Sequence, residues 1–216
     1  MSAESTVQRI ERSYTLYNKM PSTGKPTIER ISEAALELLE RAGPDAVTMR
    51  AVAAAAGITP MAIYYHFSNR DALLKSLTEN EFLNLREAIE ETGWRQLAAP
   101  FDRLIRMMEG YFLYALAHPR LYDYVFSKAL KDARQFPEDF RARRSPTLTP
   151  IADCVAEAMS CGAMKQDDVW EIALQLWALA HGYVALYRAG RFALSEEGFL
   201  ELCSRSLRRI LDGLAT

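Results

Sequence analysis

The chain has 216 residues, of which half are apolar, and its 26 basic and 28 acidic side chains give a formal net charge of −2. This length suits one or two globular domains, and many Ala and Leu residues with few Gly and Pro favour an all-α fold and exclude a β-rich one. The near-neutral charge excludes any function that depends on an overall basic or acidic chain, so the placement of the charges matters more than their sum.

The first predicted segment, residues 1–26, is a polar arm that precedes the folded domains. Four basic and two acidic side chains lie in it, and Pro21, Gly24 and Pro26 interrupt any helix. Ile10 and Tyr14 are nevertheless four residues apart, as on one helical face. The sequence therefore predicts an arm that is flexible or partly helical.

A helix is predicted over residues 27–42, and Gly43-Pro44 ends it. Acidic side chains recur along its outer side, whereas five apolar residues are expected to face the core. These are Ile28, Ile31, Ala35, Leu38 and Leu39.

Two short helices around a tight turn are predicted next. The first begins at Thr48, carries Val52 and Ala56 on one face and ends at Gly57, which accepts the positive φ that a helix end often requires. Gly57 and Ile58 form the turn. This pattern predicts a helix-turn-helix.

The second helix of this pair starts at Pro60, which suits a first helical position, and Thr59 is expected to cap it through its hydroxyl. Ile63 and Phe67 are four residues apart and face inward. The side chains left for other faces are Met61, Ala62, Tyr64, Tyr65 and His66.

A third helix is predicted from about Asn69 to Glu91, because Ser68 and Asp71 have the spacing of a capping box. Its first part adds three leucines to the small core, namely Leu73, Leu74 and Leu77. The sequence thus predicts a three-helix domain over residues 27–77.

Residues 78–216 are predicted to form a second domain, a helical bundle. Its helices are expected at residues 100–117, 120–131, 147–160, 167–189 and 195–213, with a basic, proline-containing loop at 133–146. Aromatic and histidine side chains are more numerous here than core filling requires.

Some of these side chains are predicted to bind a small apolar or aromatic molecule, because pockets between helices combine apolar walls with a few polar groups. The candidates are Tyr111, Tyr114, His118, Tyr122, Phe126, Trp177 and His181. For any one of them, ordinary core packing is the alternative interpretation. No metal site or cofactor is predicted, because Cys154 and Cys161 lack the close spacing of a zinc site.

The helix-turn-helix segment also resembles the amino-terminal domain of the tetracycline-repressor (TetR) family. The elements that carry the resemblance are Ala53 to Ala56, Gly57-Ile58, Tyr64-Tyr65-His66-Phe67, Arg70 and Ala72-Leu73-Leu74. Their joint order and spacing is more specific than any one of them. The segment from Trp177 to His181-Gly182 resembles a carboxy-terminal ligand-sensing domain of one branch of that family.

The resemblance implies a sequence-specific DNA-binding regulator, by family default a repressor that a small effector releases. It implies contacts with the DNA backbone for Thr48, Tyr64, His66 and Arg70, and base-facing positions for Thr59, Pro60, Met61, Ala62 and Tyr65. No acidic residue lies between Thr48 and Arg70, so the groove-facing surface can be locally positive. For the two tyrosines, covering the small core is the alternative.

The base-facing group contains no Arg, Lys, Asn or Gln for a bidentate bond to a base. We therefore hypothesise that Met61, Ala62 and Tyr65 recognise thymine methyl groups, while Thr59 donates one hydrogen bond and Arg50 supplies a guanine contact. The basic arm either reaches a minor groove or phosphates, or is a disordered leader.

A homodimer on a palindromic operator is predicted, because one helix-turn-helix contacts few bases. Two helical faces suit dimerisation: Leu174, Trp177, Leu179 and Tyr183 on one, and Phe199, Leu202, Leu207, Ile210 and Leu214 on the other. The alternative is that both faces are buried inside one subunit.

A cytoplasmic location is predicted, because the three cysteines form no close pair and no segment has the length and hydropathy of a signal peptide or a membrane span.

An enzyme is disfavoured, since the chain lacks a phosphate-binding glycine loop, a zinc-binding helix and a nucleophile elbow. The alternative function is a helical protein-interaction module that has a helix-turn-helix but does not bind DNA.

Overall fold

The computed structural model describes residues 26–126 and 133–216, and in these two ranges the protein is helical. We number the helices α1 to α10 in chain order: Thr27–Ala42, Met49–Ala55, Pro60–Tyr64, Arg70–Glu91, Pro100–Ala117, Pro119–Phe126, Glu138–Arg141, Leu148–Ser160, Val169–Arg188 and Glu196–Leu214. Single 3-10 turns lie at Pro44–Ala46 and Trp94–Gln96. The all-α prediction is confirmed, whereas the predicted arm lies outside the described residues except for Pro26.

Helix α1 has the predicted bounds, and Gly43 ends it with φ +83°. Ile31, Ala35 and Leu39 are buried as expected. Ile28, however, is 45% exposed, so its prediction as a core residue was wrong. Ile28 lies in the first turn of α1, and helical spacing does not show how far along a helix the core extends.

The helix-turn-helix is formed by α2 and α3. Gly57 has φ +65°, its N–H donates to the Ala54 carbonyl, and the Ile58 N–H donates to the Ala53 carbonyl. These two bonds form a Schellman motif, which satisfies carbonyls that the end of a helix leaves free. The glycine is required here because other residues rarely adopt this backbone conformation.

Helix α4 begins one residue later than predicted. The Asn69 side chain, rather than Ser68, caps it by accepting the Ala72 N–H at 2.8 Å. Asparagine is as good a cap as serine, so the sequence alone did not decide between the two positions. The three predicted leucines are buried: Leu73, Leu74 and Leu77.

The described chain divides into two compact units. Unit 1 contains α1 to α3, α4 as far as Glu81, and α6 from His118 onward. Unit 2 contains the rest of α4 from Phe82, α5, and the described residues from Ala133 to the end. The sequence-based division assigned α6 to the second domain, whereas by its packing α6 belongs with α1 in unit 1.

Three hydrogen bonds join α6 to the end of α1 within unit 1. The Arg120 Nη1 donates to the carbonyl oxygen of Glu40 at 2.8 Å and also to that of Arg41. In return, the Glu40 carboxylate accepts the Leu121 N–H at 3.1 Å. Each helix therefore satisfies backbone groups that the other leaves free at its terminus.

Unit 2 is built around α5, which packs against α8, α9 and α10. A chain of ring contacts runs through its core: Tyr111 with Phe112, Phe112 with Phe199, and Phe199 with Tyr187 and Phe192. Aromatic pairs in edge or tilted contact stabilise a core beyond the area that they bury.

The prediction that one face of α10 is available for dimerisation is wrong for two of its five residues. Phe199 and Leu207 are at most 1% exposed, so both are spent inside the subunit. Leu202, Ile210 and Leu214 remain half-buried. Helical spacing identifies an apolar face but does not tell which of two partners covers it.

Helix α9 is long and apolar enough to cross a membrane by length and composition, although no such span was predicted from the sequence. This is weak evidence for a membrane, because the core helix of a soluble protein passes the same test. In unit 2, Ile172, Leu176 and Val184 on this helix are buried. Only 28% of its most apolar 18 residues are buried, so much of the helix is uncovered in the described chain.

Candidate nucleic-acid interface

The surface of α3 presents three large apolar side chains to solvent. Tyr65 is 85% exposed, Met61 is 68% exposed and Tyr64 is 52% exposed. Ile63 on the opposite face is fully buried and, with Phe67, fixes the helix to the unit 1 core. The alternative that both tyrosines cover the core does not hold, because both rings are exposed to solvent.

Five other residues that were predicted to contact DNA are exposed, and a sixth, Ala62, is half-buried. The exposed ones are Thr48, Arg50, Thr59, Pro60 and His66. The two threonines cap helices, because Thr48 Oγ1 accepts the Ala51 N–H at 3.1 Å and Thr59 Oγ1 accepts the Ala62 N–H at 3.3 Å. Each hydroxyl hydrogen is left to donate to a phosphate or a base.

Arg70 has a different environment from the one that the sequence implied. Its Nε donates to the Val47 carbonyl at 2.7 Å, and its Nη2 donates to the Pro44 carbonyl at 2.6 Å. The side chain is half-buried. The guanidinium is thus bonded to the protein's own backbone, just before the Thr48 cap of α2.

Arg30 is a residue that the sequence analysis missed. From α1 its Nη2 donates to the carbonyl oxygen of Ala56 and, more weakly at 3.4 Å, to that of Gly57. Arg30 is the one basic side chain in α1 before Arg41, among four acidic ones. A single basic residue among acidic ones could have marked Arg30 for attention, but the sequence does not show which carbonyl groups it contacts.

The charge around the surface is favourable for a polyanion. Arg50, His66 and Arg70 are its ionisable groups other than the tyrosines, and no acidic residue lies between Thr48 and Arg70. Asp45 and Asp71 are exposed just outside this stretch. The surface combines an acid-free patch with exposed apolar rings, hydroxyls and a cation, as a major-groove surface requires.

The predicted effector-binding residues fall into the two units. Tyr111, Tyr114, Trp177 and His181 lie in unit 2, where the Tyr111 hydroxyl is 3.0 Å from His181 Nδ1 and the Trp177 and His181 rings stack at 5.0 Å. Tyr111 and Tyr114 are buried, and burial lowers the pKa of His181. A neutral imidazole beside a phenol and an indole suits a weakly polar ligand.

His118, Tyr122 and Phe126 lie in unit 1. The rings of Tyr122 and Phe126 are 4.9 Å apart, and Tyr122 and His118 are buried. Burial lowers the pKa of His118 to about 4. The structure therefore does not assign all seven predicted residues to a single unit.

Two family models match the chain. Residues 31–77 match the model described as bacterial regulatory proteins of the tetR family. Residues 104–213, half of the chain, match the model of the tetracyclin repressor-like C-terminal domain. The first match contains the helix-turn-helix, and the second contains the ring cluster of unit 2 and the Tyr111–His181 contact.

Known regulators and solved structures are similar to this chain over most of its length. The HTH-type transcriptional repressor AcnR of Corynebacterium efficiens is 24% identical over 188 residues, which cover 84% of this chain and 92% of AcnR. A Rhodococcus sp. RHA1 protein of unknown function is 25% identical, with a TM-score of 0.75 over 92% of this chain and all of that one. FadR of Bacillus subtilis, solved with stearoyl-CoA, is 18% identical, with a TM-score of 0.68 over 85% of this chain and 96% of its own.

Proposed function

This chain belongs to the TetR family of DNA-binding transcriptional regulators, and we propose that it is a homodimeric repressor that an apolar effector releases from a palindromic operator. Membership of the family makes it a regulator and not an enzyme. It also sets aside the alternative of an interaction module that does not bind DNA. The observation that carries the proposal is the exposed, acid-free surface of α3.

On this proposal α3 enters the major groove of DNA. Met61, Ala62 and Tyr65 face the bases, where apolar groups recognise the thymine methyl. Thr48, Tyr64 and His66 contact phosphates through a hydroxyl or a ring N–H and so fix the register. The exposure of these side chains, together with the caps that fix the start of α2 and α3, supports this assignment.

We place the effector in unit 2, beside Tyr111, Tyr114, Trp177 and His181. The part-buried Tyr111–His181 hydrogen bond offers a polar end, and the Trp177 ring that stacks on His181 offers an apolar wall. The Bacillus subtilis neighbour was solved with stearoyl-CoA. Fatty acyl thioesters are therefore the first class to test, before aromatic acids and their esters.

The effector signal is proposed to pass along the chain from α5 to α6. Only His118 separates these two helices, and α6 in turn contacts the end of α1 through Arg120 and Glu40. A displacement of α5 on binding would therefore alter the support of α1 in unit 1. Because coupling is reciprocal, operator DNA must weaken effector binding by the same factor.

Dimerisation is proposed through α9, with α10 beside it. Ala178 and Ala185 lie exposed one heptad apart, Leu186 is 49% exposed, and a side chain at Gly182 would meet nothing within 4 Å beyond the surrounding helix backbone. Small side chains allow two helices to approach closely, and an uncovered apolar helix is unfavourable in water. A cytoplasmic location belongs to the same proposal.

The test is to select bound sites from random duplex DNA and then to measure release by a panel of acyl thioesters and aromatic acids. We expect a palindromic consensus, salt-dependent binding and release by at least one apolar class. Trp177→Ala is expected to abolish release while operator binding is retained, whereas Trp170→Ala, another half-buried tryptophan of α9, serves as the control. Binding that shows no consensus, or release that is unchanged in Trp177→Ala, would contradict the proposal.

A further inference from the structure

Helix α2 has little apolar surface with which to hold its orientation. It has only seven residues, and four of them are alanines. Within the helix only Val52 and Ala53 are buried. A helix of this length is not stable alone. Its position relative to α1 and α4 must therefore depend on contacts at its two ends.

Arginines from the neighbouring helices make those contacts. At the start, Arg70 of α4 bonds to the Pro44 and Val47 carbonyls with two different nitrogens of one guanidinium. At the end, Arg30 of α1 bonds to the Ala56 and Gly57 carbonyls. Hydrogen bonds from a charged donor are about twice as strong as neutral ones, and the planar guanidinium also fixes direction.

The position of α3 follows from that of α2. Gly57 and Pro60 are only three residues apart, and the turn between them is fixed by the Schellman bonds. A small rotation of α2 would therefore move Met61 and Tyr65. The carbonyls that Arg30 contacts are the last two before Ile58, so Arg30 supports the turn itself.

We infer that Arg30 and Arg70 are positioning residues that hold the two ends of α2 and thereby set the specific affinity for DNA, and that Arg70 does so without contacting a phosphate. The inference rests on the proposed placement of α3 in the major groove. It replaces the phosphate role that the family resemblance implied for Arg70. Arg50, which is exposed on α2, keeps its role as a DNA-contacting cation.

Arg70→Lys is the most informative variant. It keeps the charge, so a phosphate contact would survive with nearly unchanged affinity. A lysine ammonium lacks the planar fork that bonds to two carbonyls from fixed directions. On our inference Arg70→Lys and Arg70→Ala therefore lose specific affinity equally, by about tenfold or more, since hydrogen bonds to charged groups are lost in both.

Affinity for the selected operator and for a scrambled duplex should be measured for the full chain across a range of salt concentrations. We expect both Arg70 variants to lose specific affinity, to keep non-specific affinity within about twofold, and to keep the wild-type salt slope on the scrambled duplex, because neither substitution removes a phosphate contact of Arg70 itself. Arg50→Ala is the control, because it removes a cation that is proposed to contact the DNA itself, and its salt slope should fall below that of the wild type. Thermal unfolding must show each variant folded at the assay temperature, and if Arg70→Ala is unfolded, Arg70→Lys alone decides.

Two results would overturn the inference. One is an Arg70→Lys variant that binds the operator like the wild type while Arg70→Ala does not. The other is a salt slope on the scrambled duplex that falls by about one contact in Arg70→Ala. Both differ from failure of the proposed function, in which the wild-type chain itself would show no salt-dependent, sequence-specific binding.

Discussion

At the scale of single residues, the side chains proposed to face the bases have the chemistry for methyl contacts and not for bidentate hydrogen bonds. Met61 and Tyr65 are exposed and carry no group that bonds to guanine or adenine on two atoms. This chemistry makes a specific demand on the operator, because uracil differs from thymine only in lacking the methyl group. Thymine-to-uracil replacement therefore isolates the contact that is proposed for these residues.

Replacing a contacted thymine by uracil should weaken binding by about three- to fivefold, since burial of one methyl-sized group contributes roughly 0.8 kcal/mol. The measurement is a fluorescence anisotropy titration with uracil at each half-site position in turn. In Met61→Ala the effect of uracil should disappear at one position while others remain sensitive. Equal affinity for every uracil duplex would exclude methyl recognition.

The buried His118 predicts a pH dependence of stability. Its pKa is lowered to about 4 by burial, from about 6.5 in the unfolded chain. The unfolded state thus binds more protons between these values, so stability is fully present above pH 6.5 and is lost as the pH falls towards 4. From pH 7 to pH 5 the loss from this group is about 2 kcal/mol.

Chemical denaturation at pH 7 and pH 5 measures this loss. His118→Gln should show a smaller decrease in unfolding free energy between the two pH values than the wild type, by about 2 kcal/mol. His181, whose pKa burial also lowers, keeps part of the dependence in the same direction. A variant with the same pH dependence as the wild type would show that His118 is not buried in its neutral form.

At the scale of elements, the sequence identified those features that local chemistry determines. The bounds of α1 were predicted because Gly43-Pro44 is a strong stop, and the turn at Gly57 was predicted because few residues other than glycine adopt its backbone. Long-range contacts were not predictable. Arg30 and Arg70 each bond to carbonyls more than twenty residues away, and no periodicity indicates such a partner.

Gly57→Ala should destabilise the protein by about 1 kcal/mol or more, because an alanine is strained at φ +65°. Its Cβ would also lie 3.4 Å from Arg30 Nη2, at the contact that supports the turn. Gly213→Ala is the control, since it lies in α10 with no atom within 4 Å of the new Cβ. Thermal or urea unfolding distinguishes the two, and equal stability of both variants would contradict the role given to Gly57.

At the scale of the whole molecule, the sequence predicted two domains and a dimer but not which helices form each unit. Helix α6 packs on α1 through Arg120 and Glu40, a pair separated by 80 residues, and the sequence carries no sign of it. The apolar face of α10 was predicted, but Phe199 and Leu207 are buried within the subunit. Helical periodicity therefore predicted which faces of the helices are apolar, whereas the tertiary fold determined which of these faces remain exposed to solvent.

Ala185→Arg should convert the protein to a monomer, because it introduces a charged side chain at the uncovered part of α9 where a second copy is proposed to pack. Ala156→Arg, at an exposed alanine of α8, is the matched control and should remain dimeric. Sedimentation velocity gives the mass of each. A dimer that persists in Ala185→Arg would place the interface elsewhere.

The most direct test of the central claim, that the acid-free face of α3 binds DNA, is to measure the operator affinity of Tyr65→Glu against Leu194→Glu. Both residues are exposed, at 85% and 44%, so neither substitution is expected to unfold the protein. Tyr65→Glu introduces a negative charge at the proposed groove-facing surface and should abolish sequence-specific binding, while Leu194→Glu, in unit 2, should bind like the wild type. Wild-type affinity in Tyr65→Glu would contradict the account.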